Sequence, residues 1–245
     1  MRNRLRPLFL AFFLMRLFAF SQFYALAANP KPAKMLEHKV QEIEGWQVFV
    51  DTELTDGAGV QVGTIALPLL GAKLAEIKLR LPASRIEKLQ QVAIYLDHMH
   101  ELTSMQYHPG AGWLADHGYD EAMVKCVHIP RAQRFINHVK HHQQPWALMH
   151  ELAHAYHDQV LSWEHAGIKN TFDKFVREHG QEYETVLHIN GHETKHYALT
   201  NEKEFFAEMT ESLVGTNDFY PFVRGELRVA LPEVHALMKA IWFED

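Results

Sequence analysis

The chain has 245 residues, 47% of them hydrophobic and 22% charged, with a formal net charge of −6 and a single cysteine. That composition can bury one sizeable core, and its acidic balance gives no electrostatic reason to bind nucleic acid or anionic lipid. Cys126 alone excludes an internal disulfide and a cysteine-rich metal site, and inside the apolar run 123–129 it reads as a buried core thiol.

Arg2, Arg4 and Arg6 precede an apolar stretch over 8–20 that is broken only by Arg16, and Ala25-Leu26-Ala27 has the small–x–small pattern of a cleavage site. Residues 1–27 are therefore predicted to be a signal peptide, and the protein to be exported to the periplasm or secreted. The uninterrupted apolar stretch is well short of the roughly 20 residues a membrane span needs, so no stable membrane insertion is expected once the signal is removed. Cleavage would delete four arginines and no acids, taking the formal charge from −6 to −10.

Alternation over 46–51 predicts a strand, 56–59 a turn, and 67–81 a helix closed by Pro82. Ser84 with Glu87 three residues on reads as a capping box opening a short helix, followed by a strand over 92–96. The Gly-, Pro- and His-rich stretch 107–119 reads as a loop, 124–129 as a strand, and 133–142 as a helix. Pro145 suits a first helical position, and 146–161 is a strongly apolar helix. Helix is also expected over 172–178, a hairpin over 183–197 turning at Asn190-Gly191, and helices over 201–214 and 229–242. The sum is a single α+β domain over 28–245, dominated by helices with a small sheet.

His150-Glu151-Leu152-Ala153-His154 matches HExxH. On a helix, residues four apart lie on one face, so His150 and His154 can reach one zinc ion at about 2.0–2.1 Å. Glu151, one step round, can act as base toward a water whose pKa the metal lowers toward 7. With 18 histidines in the chain the motif is not specific, and His192-Glu193-Thr194-Lys195-His196 matches it a second time. Context separates the two. The first lies among Ala147, Leu148, Leu152, Ala153 and Ala155 on a buried helix. The second follows a turn and alternates like a strand, where residues four apart stand about 13 Å from one another.

A catalytic zinc needs a third protein ligand and an open position. His157 reads as a histidine on the helix flank, and Val160 stands where a metzincin would carry its third histidine. Downstream, Glu204 and Glu208 lie four apart on one helical face, so Glu204 suits a ligand and Glu208 a support behind it; equally, Glu204 could close a capping box with Asn201.

The stretch 197–208, Tyr-Ala-Leu-Thr-Asn-Glu-Lys-Glu-Phe-Phe-Ala-Glu, resembles part of the anthrax lethal factor catalytic domain, a zincin metallopeptidase with an HExxH helix upstream at a similar distance. Together with 150–158 and 217–224 the pattern also resembles a family of exported metallopeptidase-like proteins, over about a third of the chain. The resemblance implies a zincin-like fold, one zinc ion per chain held by His150, His154 and Glu204, and Glu151 as base. It also implies Tyr197 as a catalytic phenol beside the developing oxyanion, Glu208 behind the ligands, and a peptide or protein substrate. On that reading 28–140 is an N-terminal part and 141–245 the catalytic part, and the hairpin 183–197 is expected to run along the cleft. Lys203 replaces a small residue on a face expected to point outward, and Arg224 is a candidate partner for Glu208. A zinc-stabilised binding module without catalysis and a zinc amidase acting on cell-wall material are the competing functions.

Overall fold

The computed structural model describes residues 36–244; the arginine-led segment, its cleavage pattern and Asp245 lie outside the described residues. The architecture is α+β, 56% helical. In chain order the elements are β1 (His38–Ile43), β2 (Trp46–Asp51), α1 (Val60–Arg80), α2 (Ala83–Leu89), β3 (Ile94–Leu96), β4 (Gln106–Tyr107) and α3 (Ala111–Asp116). There follow β5 (Val127–Ile129), α4 (Ala132–Lys140), α5 (Ala147–Tyr156), α6 (Ala166–Tyr183), β6 (Val186–Leu187) and β7 (Glu193–Thr194). The chain closes with α7 (Glu202–Val214), α8 (Arg224–Ala230) and α9 (Pro232–Phe243).

The main sheet has the order β1-β2-β3-β5-β4. β2, β3 and β5 run parallel, while β1 and β4 are antiparallel to their neighbours. Parallel strands are covered on both faces, and the sequence shows why here. Val48, Val50, Ile94, Leu96, Val127 and Ile129 belong to the main core shared with the helices. The alternate residue Tyr95 joins Leu114, Met123 and Cys126 in a second apolar cluster, where Phe49 stacks on the Tyr95 ring at 4.5 Å. α3 supplies Leu114 to that cluster, so the stretch expected as a plain loop carries a short helix and the edge strand β4.

Several boundaries depart from expectation. α1 begins at Val60 and carries Pro68 within it, burying Gly63, Ala66, Leu70, Leu74 and Ile77 along one stripe. It is long and apolar enough, by length and composition, to cross a membrane. α2 starts at Ala83 with Pro82 in the cap position, so the Ser84–Glu87 capping box does not form. α6 is 18 residues long, and Tyr183 ends it rather than opening a hairpin; only two residues of each hairpin strand pair, Val186 with Thr194 and Leu187 with Glu193. Gly191 at φ +87° makes the expected turn there. Pro232 divides the C-terminal segment into α8 and α9, standing at a first-turn position where its missing N–H costs nothing.

Two helices position the site. α5 is buried on every side from Leu148 to Tyr156, as expected of a helix apolar all round. It packs against α7, and Trp146 at its start lies flat against Gly215 at the end of α7: a Cβ on Gly215 would meet the indole at 2.1 Å. At its other end α5 widens into a π turn over 157–161 and stops at Ser162, φ +75°.

Candidate metal centre

His150 and His154 point their Nε2 atoms at the same oxygen of Glu204, at 3.1 and 3.2 Å. A tetrahedral ion with bonds of about 2.0–2.1 Å would hold its ligand atoms about 3.3–3.4 Å apart, so these three donors fit one divalent ion. His150, His154 and Glu204 thus form a group able to hold a metal. The cap alternative for Glu204 resolves in favour of both roles, split between backbone and side chain. Asn201 Oδ1 accepts from the Lys203 and Glu204 N–H groups, while the Glu204 carboxylate turns to the histidines.

The charge balance at His150 calls for an additional proton or a metal ion. His150 faces a carboxylate at each nitrogen: Glu211 Oε1 at 2.8 Å from Nδ1 and Glu204 Oε2 at 3.1 Å from Nε2. A neutral imidazole carries one N–H, so one of these contacts needs an additional proton or a metal ion. Burial works against charging His150, yet the Glu204 and Glu211 carboxylates outweigh it and lift its pKa well above the imidazole norm. Burial likewise opposes ionising Glu204, but its bonds to His150 and His154 hold its carboxyl well below the usual range.

Glu208 was expected directly behind the ligands. Its Oε1 stands 3.5 Å from His150 Nδ1, and Glu211, one turn further along α7, makes the hydrogen bond. Both acids are 3% exposed, and burial raises the pKa of each. Glu211 was missed in the sequence although 204, 208 and 211 share one helical stripe. Arg224 does not reach Glu208; its guanidinium lies over the Phe243 ring, and the Glu208 backbone carbonyl accepts instead from the Asn217 side chain.

Glu151 sits beside the cluster and accepts a 2.8 Å hydrogen bond from the Tyr107 N–H of β4. Burial pushes its carboxyl pKa up, partly offset by His150 and His154. The Tyr197 ring is 46% exposed and 6.4 Å from the His150 ring, in a single turn of 3₁₀ helix just before α7. Both residues line a cavity of about 650 Å³ together with His150, His154 and Glu204. Lys203 lines it too, with its ammonium over the Trp163 ring at 4.6 Å, so its face is not the outward one expected. The segment beside Glu151 is β4 rather than the hairpin; of the hairpin region His188 and Tyr197 reach the cavity.

The remaining histidines separate from this centre. His192 and Glu193 are exposed, while His196 is buried between the Tyr183 and Phe219 rings, so the second HExxH match brings no ligand set together. His157 is 0% exposed, packs on Trp163 and Phe206, and has no partner at either ring nitrogen. Asp97, His100 and His128 form another group close enough for a metal. Asp97 and both ring nitrogens of His128 are already engaged in hydrogen bonds within the protein. His38 and His128 donate to Asp97, His108 donates to His128, and His100 Nδ1 accepts from the Leu102 N–H. Comparison with protein-family models, with curated proteins and with solved structures finds no match for this chain.

Proposed function

We infer that the protein is a zinc-dependent peptidase of the HExxH class, zincin-like in its fold and resembling the anthrax lethal factor catalytic domain in its site. The observation that carries this reading is the convergence of His150 and His154 on Glu204 with Glu151 beside them, at a cavity large enough for a peptide side chain. Two imidazoles and one carboxylate are a donor set that suits zinc. Held there, zinc supplies Lewis acidity toward the scissile carbonyl and lowers the pKa of the attacking water.

The chain's own groups do the rest. The Tyr107 N–H holds one oxygen of Glu151 and fixes the carboxylate's orientation. Burial raises that carboxyl's affinity for a proton, which suits a base that takes one from water and returns it to the leaving amine. The Tyr197 phenol stands at the cavity wall, where it can donate to the oxygen on which negative charge develops. Glu211 holds the outer nitrogen of His150 and keeps its Nε2 turned toward Glu204. The arginine-led N-terminal segment supports action outside the cytosol.

A binding module would have no use for a base beside these ligands, so the test is Glu151→Gln. The variant should keep its metal and lose peptide turnover by about 10²–10⁴-fold. Retained turnover would remove Glu151 from its role. Cleavage of cell-wall fragments with none of peptides would turn the reading toward an amidase.

A further inference from the structure

The wall of the cavity opposite in charge to the metal centre is built by α4. Arg131, in extended conformation at the N-cap of α4, and residues 134, 135, 138 and 139 on one face of the helix all line the cavity. Phe135 and Val139 make that wall apolar, and Arg131 and Arg134 make it cationic.

Neither arginine has a carboxylate partner among the described residues. Arg131 donates to the backbone carbonyls of His100, Glu101 and Leu102, and Arg134 donates to Nε2 of His138 at 3.1 Å. Carbonyls and a neutral imidazole orient a guanidinium without neutralising it. The acids lining the cavity are all committed elsewhere. Glu151, Glu204, Glu208 and Glu211 belong to the metal centre, and Asp218 faces His188 at 3.4 Å. Two unneutralised guanidinium groups at the cleft of a chain with net charge −6 form a local field for an anion.

We propose that the α4 wall is a subsite for a carboxylate of the bound peptide, with Arg134 and Arg131 as its recognising groups. The planar guanidinium fork matches a carboxylate, and the neighbouring Phe135 and Val139 accommodate the methylenes of a glutamate or the last side chain before a free C-terminus. The subsite rests on the peptidase reading for its position along a substrate, though binding at α4 can be measured without turnover.

The experiment compares matched fluorogenic peptides, glutamate against glutamine at each position flanking the scissile bond, and a free C-terminus against its amide. Wild-type, Arg134→Glu and the remote control Arg177→Glu are assayed with zinc. Because each result is a ratio of kcat/KM values on one preparation, loss of folded fraction cancels. Wild-type and Arg177→Glu should favour the carboxylate member of one matched pair by about tenfold or more, and Arg134→Glu should abolish that preference. Preference in the glutamate arm assigns a side-chain carboxylate, and preference in the free-acid arm a C-terminal one. Equal rates within every pair, or a preference that survives Arg134→Glu, would overturn the proposal. If wild-type cleaves no peptide, the peptidase reading fails. Binding of the same peptides to zinc-loaded Glu151→Gln, with and without Arg134→Glu, then decides the subsite by the same ratio.

Discussion

Glu211, rather than Glu208, holds the outer nitrogen of His150: its Oε1 lies 2.8 Å from Nδ1, against 3.5 Å for Glu208. A carboxylate on the outer nitrogen of a ligating histidine fixes its tautomer and strengthens it as a donor. Glu211→Gln should therefore weaken metal binding by about 10–100-fold, as read by chelator competition. Glu208→Gln should weaken it less, since Glu208 Oε2 has no hydrogen-bond partner and burial favours a neutral group there. The opposite order would reassign the support to Glu208.

Tyr197 is separable from the metal. Its ring stands 6.4 Å from that of His150, and the three ligand atoms meet without it. Tyr197→Phe should lower kcat by about 10²-fold while leaving metal content and KM close to wild type. Loss of metal in this variant would place the tyrosine among the groups that shape the ligand set.

His157 is buried with both ring nitrogens unpartnered, and burial lowers its pKa to about 4. Its folded-state pKa lies below the unfolded value near 6.5, so the unfolded chain takes the proton first as pH falls. The folded state then loses stability between about pH 6.5 and 4, by roughly 1.4 kcal/mol per pH unit for this one group. His157→Phe removes the titration and keeps an aromatic ring against Trp163 and Phe206. Its stability relative to wild type, from denaturant unfolding, should rise steadily from pH 7 to pH 4.5; a constant difference would show that His157 is not proton-linked.

The second HExxH match yields a contrast in which the same residue types behave differently. His192→Ala should leave metal content and activity unchanged, because His192 is exposed and outside the cavity. His196→Ala should keep the ligands but cost roughly 1–3 kcal/mol of stability, because its ring is 0% exposed between Tyr183 and Phe219. Metal loss in His192→Ala would revive the second motif.

The parts of the fold visible in the sequence are those with a strong period. The Ala- and Leu-rich surroundings of His150 mark α5, and the Asn201 cap marks α7, so the helix pair carrying the candidate ligands is legible from residues alone. β4 is not, because two residues carry no alternation, and its place is set by pairing with β5 and by the Tyr107 bond to Glu151. α3 escapes for a related reason: it exists to cover the Tyr95 face of the sheet, a tertiary demand that a Gly- and Pro-rich stretch does not advertise.

The site divides the same way. His150, Glu151 and His154 follow from helical spacing, and Glu204 from its place on α7 with the resemblance to choose its role. Glu211 lay on the same stripe as Glu204 and Glu208, and its burial depends on how α7 packs on α5, which spacing does not reveal. Lys203 turns toward Trp163 because that ring comes from the loop after the π turn, a meeting of segments 40 residues apart in sequence.

The most direct test is the metal stoichiometry of the purified protein, measured by elemental analysis beside native mass. Wild-type should carry one zinc per chain, lost in His150→Ala, His154→Ala and Glu204→Ala and kept in Glu151→Gln and His128→Ala. Metal absent from the wild-type protein, or retained at full stoichiometry in Glu204→Ala, would contradict the assignment of this centre.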